Sequence, residues 1–213
     1  MLRYCEFSKI ENGKITEVAM FFDIPHLMLQ AGIKPFTCET GISLVQPGPL
    51  THDGLMFNEQ DPNKGNKTIE IIENMINDVK VWTSSNRVSL IKELKKSWND
   101  NMIWWGPTGI GSTFTIERYA DQHAGPFREI FKERKFNGHL CRIAEGNFGG
   151  FFGWPNLTLT PSKKFMGITT APKPSEMRVI DIYRREGNKL TENWVFIDLL
   201  HFWKILGVDV LKN

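Results

Sequence analysis

Hydrophobic residues recur three or four positions apart in the middle of the chain, and residues typical of β-strands are concentrated towards both ends. The helical spacing predicts helices over Thr68–Val81, Ser89–Trp98 and Ile116–Arg134. Ser112 or Thr113 would serve as the N-cap of the third helix. Three helices are therefore expected ahead of the main β-rich region.

Five strands are predicted, most of them after the helices. One short apolar strand, Met102–Trp105, precedes the third helix, and four β-rich segments come after it: Phe136–Ala144, Phe148–Leu159, Met177–Arg185 and Leu190–Ile197. Helices first and antiparallel strands afterwards indicate an α+β fold. Glycines at positions 146, 149, 150 and 153 suit a strongly bent sheet, and such a sheet wrapped around helices leaves a pocket.

The chain contains an internal sequence repeat. Leu2–Ile33 aligns with Met177–Val208 without a gap at an offset of 175, with nine identities in 32 positions. About two identities would be expected by chance. Each copy is predicted to form a strand, a turn, a second strand and a short helix, so both copies should fold alike.

The short helix of each copy is flanked by residues that favour helix ends. Asp198 stands at the N-cap position and Gly207 just after the helix, and Asp23 and Gly32 repeat this arrangement. His201 follows Asp198 by three positions, which would also suit a catalytic dyad. Capping explains the aspartate more simply.

The repeat divides the chain into three parts. Residues 1–36 are predicted to be a partial second copy, residues 37–67 a linker rich in proline and glycine, and residues 68–213 the complete domain. Counterparts of roughly residues 69–176 would lie before Met1, so a truncated two-domain protein is one interpretation. An isolated hairpin is marginal in water, and we expect residues 1–36 to dock on the domain or on a partner chain.

Charge and cysteine content exclude several classes of protein. The formal net charge is +2, with 26 basic and 24 acidic residues, so we expect neither nucleic acid nor a membrane as partner. Three widely spaced cysteines fit neither a disulfide framework nor a metal pair, and no metal site is expected. Charged residues within the first thirty positions argue against a signal peptide, which predicts a cytoplasmic protein.

The last part of the sequence carries a family resemblance. The segment Glu192-Asn-Trp-Val-Phe-Ile-Asp-Leu-Leu-His, followed after four residues by Leu206-Gly207, resembles the closing segment of SnoaL-like polyketide cyclases in the nuclear transport factor 2-like superfamily. The resemblance implies a cone-shaped barrel of curved antiparallel sheet wrapped around N-terminal helices. It also implies ring closure of a polyketide ester by aldol condensation without metal or cofactor, and a homodimer formed through the outer sheet face.

The acid/base residue of this family is missing from its expected position. In the family an aspartate follows the tryptophan directly, whereas here Val195 follows Trp194. A family histidine on the neighbouring strand would fall near Asp181. Desolvation on that apolar strand would raise the pKa of Asp181 and make it a candidate acid/base residue. A hydrogen-bonded structural aspartate is the alternative.

Other residues are candidates for the pocket. His123 on the third helix and His139 on the following strand are candidate bases near neutral pH. Because aromatic walls suit a flat apolar ligand, the predicted substrate-binding residues are Trp104, Trp154, Glu192, Trp194 and Val195. For Glu192, an ion pair at a strand end is the alternative.

The sequence supports two functional hypotheses. The first is a cofactor-independent cyclase, or a related lyase or isomerase, acting on a small apolar or aromatic carbonyl compound. The second is a non-catalytic ligand-binding or assembly module with the same fold, which Val195 favours.

Overall fold

A computed structural model describes residues 1–44, 46–81 and 86–212 of the chain. Its N-terminal part is a hairpin of strands β1 and β2 followed by helix α1, over Tyr4–Glu11, Lys14–Phe22 and Ile24–Gln30. Helices α2 and α3 and strand β3 then occupy Pro62–Val81, Arg87–Ser97 and Trp98–Trp105. Among the described residues, no helix has the length and apolar character needed to cross a membrane.

A helical segment and a series of strands complete the main domain. Strand β4 (Ser112–Phe114) leads into α4 (Thr115–Tyr119), a π-helical turn (Ala120–Ala124) and α5 (Gly125–Ile130). Strands β5 to β9 are Glu133–Phe136, Cys141–Glu145, Phe148–Thr160, Ser175–Glu186 and Lys189–Ile197. Helix α6 (Leu199–Ile205) and a short 3-10 turn (Val210–Lys212) follow β9.

The main sheet is curved, mixed and open. Its strand order is β4-β3-β9-β8-β7-β5, and β6 also pairs with β7. The predicted α+β architecture is confirmed, with two corrections: β3 and β9 are parallel, and the sheet does not close into a barrel. A tight hairpin turn forces antiparallel pairing, whereas β3 and β9 are distant in sequence and can run in either relative direction.

Helix α2 begins at Pro62, six residues before its predicted start, so the last part of the predicted linker is helical. Proline is tolerated here because the first turn of a helix leaves its N–H groups unpaired in any case. A Cβ atom at Gly65 would lie 2.9 Å from the carbonyl oxygen of Ala144. Glycine therefore allows α2 to approach β6 closely.

The third predicted helix differs at both ends. Ser112 and Thr113, the predicted N-cap residues, lie in β4, and Phe114 occupies the N-cap of α4 without a side-chain hydrogen bond. Beyond the helix, the stretch predicted as one strand over Phe136–Ala144 is divided between β5 and β6. Both of these strands pair with β7.

The N-terminal hairpin and the β8–β9 hairpin have the same strand register. Tyr4 pairs with Phe22, and Val179 pairs with Ile197, which is an offset of 175 in both strands. The register shift that follows Lys9 in the first hairpin also recurs 175 positions later in the second. The aligned residues therefore occupy equivalent positions in two hairpins of the same construction.

The predicted capping role of the two aspartates is confirmed. Oδ1 of Asp23 accepts a hydrogen bond from the backbone N–H of His26 at 3.0 Å, and Oδ1 of Asp198 accepts one from His201 at 3.1 Å. The glycines that follow the two helices have φ angles of 80° and 84°, in the left-handed region that favours glycine.

The N-terminal hairpin packs on the outer face of the main sheet, opposite the helices. Phe7 and Phe21 form a buried cluster with Ile180 and Phe196, and the ring centroids of Phe7 and Phe152 are 4.9 Å apart. This contact supplies the apolar partner that a lone hairpin lacks. It also covers part of the face through which a homodimer is predicted, so that such a homodimer would use the remaining part.

Replacing Phe7 with alanine is expected to weaken the docking of this hairpin by about 2 kcal/mol, because the substitution removes a buried aromatic ring. Hydrogen–deuterium exchange should become faster in β1 and β2 while β8 keeps its protection. Val18→Ala, on the exposed face of the same hairpin, is the matched control. Equal exchange in both variants would contradict the assigned contact.

Candidate functional site

A cavity of about 520 Å³ lies between the sheet and helices α2 to α5. Its lining is mainly apolar and aromatic, and includes Met75, Ile76, Leu94, Trp98, Trp104, Phe127, Phe151, Met177 and Val179. A concave apolar space with a few polar groups is the usual form of a small-molecule site. The cavity is therefore the candidate functional site.

Asp181 lies in the wall of this cavity, on the central strand β8. Because side chains alternate between the two faces of a strand, Val179 and Tyr183 face the cavity with it. Asp181 is paired directly with Val195 of β9. Directly opposed residues have neighbouring side chains, so Asp181 places a carboxyl group beside the position where the family aspartate would stand.

The Asp181 carboxyl group is partly buried and has hydrogen-bond donors. Nδ2 of Asn193 donates to Oδ1 of Asp181 at 3.2 Å, and the Tyr183 hydroxyl donates to the same carboxyl group. Burial raises the pKa of Asp181 to about 7, although these hydrogen bonds act in the opposite direction. Near neutral pH the group is populated in both protonation states, as a general acid/base requires.

Two tyrosines stay protonated next to this carboxyl group. Burial raises the pKa of Tyr119 and of Tyr183, and the charge of Asp181 raises both further. Their hydroxyl groups are therefore available as hydrogen-bond donors at neutral pH. Neither tyrosine nor Asn193 was predicted from the sequence. Tyr183 and Asn193 lie two positions from Asp181 and Val195, so a known strand phase would have revealed them.

His123 lines the cavity from the π-helical turn. Its ring stacks on Trp104 with centroids 4.2 Å apart, and burial lowers its pKa to about 3. A Cβ atom at Gly125 would lie 2.7 Å from the carbonyl oxygen of Ala120, so glycine accommodates the tight backbone of this turn. His123 is thus a neutral imidazole at physiological pH.

His139 also lines the cavity, but it lies in the loop between β5 and β6 rather than on a strand. Its ring stacks on Phe151 with centroids 3.8 Å apart, and its Nδ1 accepts a hydrogen bond from Nε of Arg142 at 3.1 Å. Burial, then the charges of Arg142 and Lys80, lower its pKa to about 4.

Among the described residues, no group of three or more His, Cys, Asp or Glu side chains is placed to hold a metal ion.

The predicted binding tryptophans are divided between the two faces of the sheet. Trp104 and Val195 line the cavity. Trp154 and Trp194 do not: the Trp154 ring packs against Phe21 with centroids 5.2 Å apart, and Nε1 of Trp194 donates to the Pro47 carbonyl at 2.9 Å. The predicted ligand contacts of these two tryptophans are corrected. Because Trp194 is adjacent to Val195, it points to the opposite face.

Glu192 is also outside the cavity. It is fully buried and forms an ion pair with Arg184, and Oε1 accepts a hydrogen bond from the backbone N–H of Leu50 at 3.1 Å. The ion-pair alternative is confirmed, and the predicted contact with ligand is corrected. Glu192 instead holds the segment around residue 50 against the sheet.

The chain has the nuclear transport factor 2-like fold, an α+β fold in which a curved sheet wraps around helices and encloses an apolar cavity. A solved structure of a candidate polyketide cyclase from Acidithiobacillus ferrooxidans is similar, with 19% identity, a TM-score of 0.51, and coverage of 66% of this chain and 94% of that one. A candidate SnoaL-like polyketide cyclase from Jannaschia sp. CCS1 has 12% identity, a TM-score of 0.52, and coverage of 71% and 98%. At these identities the likeness is one of fold.

Neither comparison by sequence finds a counterpart. No known family profile matches the chain, and no curated protein is similar to it.

Proposed function

We propose that the protein catalyses cofactor-independent proton transfer on a small, largely apolar carbonyl compound in the cavity, with Asp181 as the acid/base residue. The observation that carries this proposal is the partly buried Asp181 carboxyl group in the cavity wall, opposite Val195. Its pKa is raised to about 7. The similarity in fold to polyketide cyclases supports the same class of reaction.

The proposed reaction begins with ionised Asp181. The carboxylate removes a proton from the carbon next to the ligand carbonyl, and the electron pair moves to the carbonyl oxygen to form an enolate. A hydroxyl donor such as Tyr119 can stabilise the enolate oxygen. In a ring closure, the enolate carbon then attacks a second carbonyl group, a carbon–carbon bond forms, and protonated Asp181 returns its proton to the new alkoxide. The walls of the cavity hold the chain of the ligand in a reactive conformation.

A non-catalytic binding module is the second candidate. Val195 occupies the family position of the acid/base residue, and Asp181 has hydrogen-bond donors in Asn193 and Tyr183, as a structural aspartate would. The two candidates differ in one measurable property, the transfer of a proton from a bound ketone.

Exchange of the α-protons of 2-tetralone in D₂O, followed by NMR, tests the proposal without knowledge of the natural substrate. The wild-type protein is expected to accelerate exchange above the buffer rate. Glu6→Gln is the matched control because Glu6 occupies the position of Asp181 in the N-terminal hairpin, is exposed and lies away from the cavity. Binding of the ketone without accelerated exchange would favour the binding module.

A further inference from the structure

One donor in the cavity wall has no partner among the described residues. Asn156 is 2% exposed, and its Oδ1 accepts a hydrogen bond from the backbone N–H of Val179 at 2.7 Å. That bond fixes the orientation of the amide, so the group without a partner is the Nδ2 donor. An unpaired buried donor costs free energy, and this residue lines the cavity. A ligand oxygen would satisfy it.

The cavity lining also includes two positively charged side chains. Lys80 and Arg134 both line the cavity. Nζ of Lys80 lies 3.3 Å from the neutral amide oxygen of Asn77 and 4.8 Å from the centroid of the Phe136 ring. Arg134 donates a hydrogen bond to the backbone carbonyl of Lys80 at 3.1 Å, which joins β5 to the end of helix α2.

Strand pairing connects these cations to Asn156. Phe136 of β5 pairs with Leu157 of β7, and the backbone N–H of Asn137 donates to the Asn156 carbonyl at 2.7 Å. Asn156 therefore lies on the side of the cavity where β7 is paired with β5.

The charge balance of the lining favours an anion at this end. Arg128 also lines the cavity but forms an ion pair with Glu93. Among the described residues that line the cavity, Asp181 is the only acidic one. Burial is the main cause of the lowered pKa of His139, and the positive charges of Arg142 and Lys80 lower it further.

We propose that the ligand carries a carboxylate, and that Asn156 Nδ2, Lys80 and Arg134 bind it while the apolar carbonyl part of the ligand extends towards Asp181. The expected ligand class is thus an aromatic or polyketide-like carboxylic acid rather than its neutral ester. Charge-assisted hydrogen bonds in a largely apolar space give this preference. The position of the carbonyl part rests on the proposed function, whereas the preference for the carboxylate does not.

Isothermal titration calorimetry with 2-naphthoate and methyl 2-naphthoate tests the preference. The wild-type protein is expected to bind the carboxylate roughly tenfold more tightly than the ester. The double variant Lys80→Gln/Arg134→Gln should lose this preference while its affinity for the ester stays similar. Lys67→Gln, a surface lysine on the same helix that pairs with Glu70, should behave like wild type.

A second variant tests the amide separately. Asn156→Asp keeps an acceptor for the Val179 N–H but replaces the Nδ2 donor with an oxygen, so it should weaken carboxylate binding more than ester binding. Equal affinity of the wild-type protein for acid and ester, or failure to bind the carboxylate, would overturn the inference. Repeating the titrations with Asp181→Asn separates the two proposals, since the carboxylate preference should persist when proton transfer is lost.

Discussion

Asp181→Asn is expected to lower the rate of α-proton exchange by a factor of about 10² to 10⁴, the usual contribution of a positioned acid/base side chain. Asparagine retains an acceptor for the donors on Asn193 and Tyr183 but cannot take up the proton of the substrate. The measurement is kcat/KM for 2-tetralone exchange, together with the affinity of the ketone from calorimetry. Affinity should change little.

The pH dependence of the wild-type rate provides a second readout. Because the pKa of Asp181 is about 7, the exchange rate should rise with pH up to about pH 7 and level off above it, as the carboxylate form becomes dominant. Glu6→Gln should show the same profile. An undiminished rate in Asp181→Asn, or a profile without an inflection near pH 7, would reject the assigned role.

Asp181→Asn is also expected to make the protein more stable above pH 7, by up to about 4 kcal/mol. The pKa of Asp181 is about 7 in the folded protein, against a model value of 3.8. Between these values the folded state holds a proton that the unfolded state has lost, so ionisation reduces stability as pH rises. The penalty is complete above pH 7 and absent below about pH 4.

Urea unfolding of wild type and variant at several pH values checks this sign. The stability difference should be largest near pH 8 and shrink towards pH 4. Glu6→Gln changes an exposed carboxylate and should show no comparable trend. A stability difference that is constant with pH would mean that burial of the charge is not its cause.

Local signals in the sequence predicted much of the fold. Asp23 and Asp198 could be identified as caps because capping depends only on the next few residues. The strands β7, β8 and β9 were found within a few residues because residues typical of strands are concentrated there and turn residues separate β8 from β9. The parallel pairing of β3 with β9 could not be predicted, since it depends on a contact between distant parts of the chain.

The site was predicted less completely than the fold. The family resemblance directed attention to Asp181 and Val195, which the structure places side by side in the cavity wall. The sequence did not show which face of the sheet Trp194 occupies. A shift of one residue along a strand exchanges the two faces, and the β8–β9 pairing contains such a register shift after Arg184. Asn156 was not predicted because its proposed role depends on the Nδ2 donor, which has no partner once Oδ1 accepts the hydrogen bond from Val179. Only the folded structure shows this.

The matching register of the two hairpins has a consequence for the chemistry of the acid. Glu6 and Asp181 occupy equivalent positions on equivalent strands, yet Glu6 faces water and Asp181 faces the hollow beneath the helices. The backbone geometry that presents a carboxyl group is thus common to both places. The two carboxyl groups differ because helices α2 to α5 cover only Asp181. The raised pKa of Asp181 therefore comes from the helices packed over the sheet and not from the strand alone.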